Sequence, residues 1–104
     1  MTRLFLVRDG ERELWVAALV GEDVWTYVAN TGKFHRNDGA RHDYFFLNDL
    51  QYSDIGITEA RRLIGRGVGT VNEEEFPDSI QRWRDDRDAM DADIVFASLA
   101  SDLA

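Results

Sequence analysis

A chain of 104 residues, 44% hydrophobic and 12% aromatic with a formal charge of −8, has the apolar content for one packed core, too little length for two, and a composition far from that of a disordered chain. With no cysteine, disulfides, thiol nucleophiles and thiolate metal sites are excluded. An acidic balance repels nucleic-acid phosphate at long range and favours basic partners, besides keeping the chain soluble.

The N-terminal residues, MTRLFLVRDGE, become charged too soon for a secretory signal, and no apolar run approaches the roughly 20 residues of a membrane span. We therefore expect a cytoplasmic protein with no membrane partner. From Arg3 to Asn30, three runs rich in branched and aromatic residues are separated by Asp9-Gly10 and by Gly21-Glu22-Asp23, the pattern of an antiparallel meander. In the first run Leu4 and Leu6 oppose Phe5 and Val7, so neither face is polar and both should be covered. In the second, Trp15, Ala17 and Leu19 share one face and Leu14, Val16, Ala18 and Val20 the other, which marks the central strand. The third sets Val24, Thr26 and Val28 against Trp25 and Tyr27. Trp15, Trp25 and Tyr27 could form a stacking platform for a base, a sugar or a proline-rich peptide, or pack in the core with each polar tip partnered.

Thr31 to Asp43, TGKFHRNDGARHD, is where basic residues and both histidines cluster. Asn37-Asp38-Gly39 reads as a hairpin turn. A two-residue loop would set Arg36 against Arg41, whereas a three-residue loop with Gly39 in the left-handed position sets Lys33 opposite Asp43 and Phe34 opposite His42. The second register removes the like-charge pair, and from it the strand continues through Tyr44, Phe45, Phe46 and Leu47 into the sheet. Lys33, His35, Arg36, Arg41 and His42 would then form an exposed basic patch.

Asn48 to Ile57 reads as a connection anchored by Leu50, Tyr52 and Ile55. Thr58 is placed to cap a helix with the apolar stripe Ala60, Leu63 and Ile64, ending at Gly65 or Gly67. The run Gly65 to Gly69, GRGVG, lacks both the dinucleotide spacing and the phosphate-loop lysine, and the three adjacent carboxylates Glu73, Glu74 and Glu75 diverge instead of converging on one ion. Pro77 opens a second helix that carries Phe76, Ile80, Trp83 and Met90 on one face. The tail from Asp91 has Ala92, Phe96, Leu99, Ala100 and Leu103 on one stripe, which either packs on the sheet or forms an interface through Phe96, Leu99 and Leu103; packing on the chain's own sheet, and so a monomer over a homodimer, is the expectation. Divided after Leu50, the chain carries six basic and eight acidic residues, then six and twelve, so the excess acid is C-terminal. All basic residues but Lys33 are arginine, which points to a GC-rich coding sequence of bacterial or phage origin.

The expected fold is a single α+β domain over residues 1–104: an antiparallel sheet of about four strands, the meander plus a hairpin, with two or three C-terminal helices on one side. Its buried core would include Leu6, Trp15, Val16, Leu19, Val28, Phe46, Leu63 and Ile80. Only the 33–43 segment offers the groups an active site needs, a histidine pair for proton transfer with arginine for developing charge on a phosphodiester, or His35, His42 and Asp43 for a metal at a spacing that matches no established motif. A binding module needs only a surface. We therefore expect a non-enzymatic acidic interaction or regulatory module, using no cofactor and binding another protein with a basic surface. The alternative is a nucleic-acid-binding or phosphodiester-processing protein that uses the basic hairpin.

Overall fold

A computed structural model describes residues 2–103, the side chains of residues 102 and 103 excepted. The meander forms as its alternation predicts, with β1 (Thr2–Asp9), β2 (Arg12–Val20) and β3 (Asp23–Val28) joined by tight turns. Across β1 and β2, Leu4 faces Ala18, Phe5 faces Ala17 and Leu6 faces Val16; across β2 and β3, Ala18 faces Trp25 and Leu19 faces Val24. A register slip at Val7 and Arg8 is absorbed near the β1–β2 turn.

The sheet is wider than expected, six antiparallel strands in the order β5-β1-β2-β3-β4-β6, with β4 at Lys33–Arg36, β5 at Gln51–Ile55 and β6 at Met90–Asp91. The expected connection at 48–57 is therefore partly a strand. Its pairing with β1 sets Tyr52 opposite Val7 and Ile55 opposite Leu4.

Four α-helices are described: α1 (Asp38–His42), α2 (Ile57–Gly65), α3 (Pro77–Arg84) and α4 (Ala92–Leu103). They cover both sheet faces, which corrects the expectation that helices lie on one side and only in the C-terminal part. On one face Leu4, Val16, Ala18 and Phe34 pack with Ala60 and Leu63 of α2 and with Val95 and Phe96 of α4. On the other, Phe5, Val7, Ala17, Leu19 and Val24 pack with Ala40 of α1. Two apolar faces on one strand are thereby both buried, the arrangement that β1 and β2 require.

The α4 stripe docks on the chain's own sheet: the Phe96 ring meets Phe34 edge-on at 6.3 Å and Leu99 packs beside it. Behind α2, the Gly67–Thr70 turn approaches β3 so closely that a Cβ on Gly69 would sit 2.3 Å from the Tyr27 carbonyl oxygen, at a φ of +94°. The glycine-rich run is thus a packing contact.

The second hairpin is the main departure. Its turn lies at 29–32, with Gly32 at a φ of 71° and its amide bonded to the Val28 carbonyl, not at Asn37-Asp38-Gly39. Asn37 instead caps α1: its Oδ1 accepts from the Ala40 amide at 2.9 Å while its Nδ2 donates to Thr26 Oγ1. Asparagine serves a cap and a turn equally well, and the earlier turn leaves it only the cap. Residues 44–47 consequently leave the sheet, and Phe46, expected in the core, is 69% exposed. Val16, Leu19, Val28, Leu63 and Ile80 are buried as expected; Leu6 and Trp15 are half-buried.

Candidate functional site

Downstream of α1 the backbone widens into a single π-helical turn, Asp43–Leu47, closed by the Asn48 amide donating to the Asp43 carbonyl at 2.7 Å, with Asn48 left-handed at a φ of 56°. Such turns are uncommon and recur at functional positions. This one is held by a buried carboxylate. Asp43 accepts from the Tyr52 hydroxyl at 2.6 Å, from the Asp49 amide at 3.0 Å and from the Leu50 amide at 3.2 Å. The Tyr52 bond first, then the two amides and nearby His42, outweigh desolvation and hold this carboxyl below the usual carboxylate range; burial and the same bond push the Tyr52 phenol well up.

The inner side of the turn is equally fixed. Tyr44 packs on Phe5 at 5.2 Å and on Tyr52 at 5.0 Å, so the turn is clamped to β1 and β5 by rings as well as by hydrogen bonds. The consequence appears on the outer side. Phe45, Phe46 and Leu47 project into water at 42%, 69% and 55% exposure. Arg41 lies over the Phe45 ring at 5.3 Å while its Nε donates to the Glu22 carbonyl, and His42 stacks on Phe46 at 5.3 Å. The result is a knuckle of three consecutive large apolar side chains on a rigid base. Beside it, Gln51–Ile55 is an edge strand of the sheet, with β1 as its one strand neighbour among the described residues.

The residues singled out from sequence are dispersed. Lys33 and Arg36 are exposed on β4, Lys33 at 3.9 Å from Asp91 and Arg36 at 3.8 Å from Asp38. Arg41 and His42 belong to α1 and border the knuckle. His35 is not on an exposed patch but 1% exposed, its Nδ1 at 2.9 Å from Asp86 Oδ2 and its Nε2 at 2.7 Å from Thr31 Oγ1. That connectivity resembles a hydroxyl-imidazole-carboxylate relay. Yet the Thr31 hydroxyl donates to the Val28 carbonyl at 3.2 Å, and the imidazole is buried with its ring 6.0 Å from that of Trp83. The cluster clips the end of α3 to the β3–β4 hairpin. Burial opposes charge on Asp86, but the His35 bond, the Asp88 amide and Arg36 prevail and lower its pKa.

The histidine pair of the alternative, enzymatic reading is not assembled, His35 being buried against Asp86 and His42 exposed beside Phe46, and among the described residues no group of three or more histidine and acidic side chains is placed to hold a metal. Trp25 and Tyr27 lie half-buried against the core on the face covered by α2 and α4. Phe96 is buried, Leu99 half-buried, and the side chain of Leu103 lies outside the described residues. Among the described residues no helix is long and apolar enough to cross a membrane.

Sequence reasoning missed the knuckle because a run such as Tyr44-Phe45-Phe46-Leu47 reads equally as a buried strand or a helical segment. The signal that could have found it is Asp43 before the run and Asn48-Asp49 after it, a carboxylate and a left-handed former placed to close a turn. Comparison with protein-family models, with curated proteins and with solved structures gives no match.

Proposed function

We propose that this chain is a non-catalytic interaction module that docks on a partner protein by seating Phe46, flanked by Phe45 and Leu47, in an apolar pocket of that partner. The observation that carries this reading is the exposure of three consecutive large apolar side chains on a turn whose base is immobilised by Asp43 and Tyr44. A well-packed apolar side chain withdrawn from water is worth about 1.5–3 kcal/mol, and contiguous exposed apolar surface is a mark of interaction sites. A pre-organised base matters as much, because little backbone freedom of the turn remains to be lost on binding. Aromatic anchors of this kind dominate interface energetics. The place of β5 at the edge of the sheet, beside the knuckle, supports the same reading, since edge strands can accept an added strand.

The test is site-specific cross-linking in the source cell. A photoreactive residue at position 47 should capture one protein species that the same residue at exposed Asp88, remote in sequence from the knuckle, does not. The purified pair should then lose at least about tenfold in affinity with Phe46→Ala, in line with hot-spot truncations above 1.4 kcal/mol. Equal capture from both positions, or unchanged affinity of the variant, would sink the reading. A cross-link only to a second copy of the chain would replace a partner by self-association.

A further inference from the structure

One buried titratable side chain plays no part in the docking surface. Of the two histidines in the sequence, His42 is exposed beside Phe46, whereas His35 is 1% exposed. Each ring nitrogen of His35 meets an oxygen that has no proton to offer it. Nδ1 lies 2.9 Å from Asp86 Oδ2, and the Asp88 amide donates to Oδ1 of the same side chain at 2.9 Å. Burial opposes charge on Asp86, yet these two bonds help to hold it below the usual carboxylate range, so it is an ionised acceptor at both oxygens. Nε2 lies 2.7 Å from Thr31 Oγ1, whose single proton goes to the Val28 carbonyl. Both ring nitrogens must therefore donate, and a ring with two N–H groups is an imidazolium.

A charge this deep in a protein persists only beside an opposite one. Among the described residues Asp86 is the carboxylate within ion-pair reach of the ring. The neighbouring charges on β4 are engaged elsewhere, Arg36 at 3.8 Å from Asp38 and Lys33 at 3.9 Å from Asp91. On the α3 side, Arg82, Asp85 and Arg87 border the open cavity that Trp83 and Asp86 also line; Asp85 accepts from Gln81 and Arg82 donates to Ser79.

The same partners also suit a neutral ring. When Nε2 gives up its proton to solvent, the Thr31 hydroxyl can turn from the Val28 carbonyl to donate to Nε2, while the Nδ1–H bond to Asp86 stays. Val28 is not left bare, because its carbonyl keeps the amides of Gly32 at 2.9 Å and Thr31 at 3.2 Å. We infer that His35, Thr31 and Asp86 form a proton-operated clip between the end of α3 and the β3–β4 hairpin. With the proton on, the clip is a buried ion pair; with the proton off, Thr31 turns and the clip is a hydrogen bond from a neutral ring. No polar group of the three loses its partner in either position, so the ring changes charge without leaving the core. The clip does not rest on the knuckle, and Phe46 variants leave it unchanged.

The experiment is a ring nitrogen–proton correlation spectrum of the isotope-labelled full chain at about pH 5 and about pH 9, on either side of the ordinary histidine value of about 6.5. Across that window Asp43 and Asp86 stay ionised and Tyr52 stays protonated, so the fold is held constant. His42→Gln separates the two sets of ring signals. At about pH 5 His35 should show two ring N–H protons, both shielded from exchange with water; at about pH 9 it should show the Nδ1 proton alone, with the backbone spectrum of the sheet unchanged. Asp86→Asn removes the counter-charge and Thr31→Val removes the acceptor for Nε2, so each should leave one ring proton at about pH 5, while Thr31→Ser should restore two. One ring proton at both pH values in the parent would overturn the inference, since Thr31 would then donate to a ring that is neutral throughout. Two at both values would overturn the release of the proton, and two at about pH 5 in Asp86→Asn would remove Asp86 as the counter-ion.

Discussion

The β1–β3 meander and the 37–50 segment use the same alphabet of aromatic and branched residues and put it to opposite ends. In the meander the apolar side chains of β1 and β2, Leu14 excepted, pack into one of two core layers, because period-two alternation sends neighbours to opposite sides and helices cover both sides. In the 37–50 segment Tyr44 turns inward and Phe45, Phe46 and Leu47 turn out. What separates the two is the state of the backbone polar groups. In the meander they are satisfied by neighbouring strands, whereas at 43–50 one carboxylate gathers two amides and a phenol and so fixes which rings face the core.

The largest effect expected from breaking this contrast is in the meander's core. Leu63 is fully buried between α2 and the sheet, and Leu63→Ala should cost about 2–5 kcal/mol through lost transfer energy and the cavity left behind. Denaturant melts check it; a loss under about 1 kcal/mol would mean that the layer can collapse around the site.

Next in size is the base of the knuckle. Asp43→Ala leaves three donors facing a void, which should cost about 1–3 kcal/mol. It should also release the turn, raising amide exchange at Asn48, Asp49 and Leu50 before any change in β2. If exchange stays flat while stability falls, Asp43 matters through packing alone.

The carboxylate also gives the fold a pH signature. Asp43 and Asp86 both have folded pKa values below the unfolded value of about 3.9, so the native state binds fewer protons, and their contribution is full above that value and lost as pH falls through the lower folded pKa. Tyr52 is the mirror case. Its folded pKa is raised, so its contribution is full below the unfolded value of about 10 and lost as pH rises beyond it. Stability measured against pH should be level through neutrality and fall at both ends, with Tyr52→Phe removing the alkaline contribution and flattening the acid one. An acid limb unaltered in Tyr52→Phe would break the assigned link to Asp43.

How much of this was legible in the chain follows from the same contrast. Leu4 to Val7 and Trp15 to Val20 announce strands with two apolar faces because alternation is a local property. Strand β5 was not legible, since QYSDI has only Tyr52 and Ile55 to mark it and owes its conformation to pairing with β1. The 37–39 segment was misread because asparagine before Asp38-Gly39 fits a hairpin turn and a helix cap alike; the decision lies in Gly32, five residues earlier, which closes the hairpin first. Once the turn moved, β4 kept His35 inside against Asp86, a contact 51 residues away that no local pattern records. Of the candidate site, Arg41 and His42 were legible as surface residues, but the knuckle they border was not.

The smallest expected effect on stability falls on the residue that matters most to the proposed function. Phe46 is the most exposed of the three knuckle side chains and touches the rest of the molecule chiefly through the His42 ring, so its truncation removes little native contact. Phe46→Ala should therefore change unfolding free energy by no more than about 0.5 kcal/mol, and Phe46→Asp, which also lowers exposed apolar area, should do no worse while improving solubility. Phe5→Ala, on the buried side of the same aromatic cluster, is the matched control: losing its contacts with Tyr44 and Tyr52 should cost about 3–5 kcal/mol. Two phenylalanines in one cluster would then differ in stability cost by several fold, the cheap one being the one that docking requires. If Phe46→Asp instead melts far below the parent, the knuckle is held against the body in solution, and its apolar face is core, not a surface for a partner.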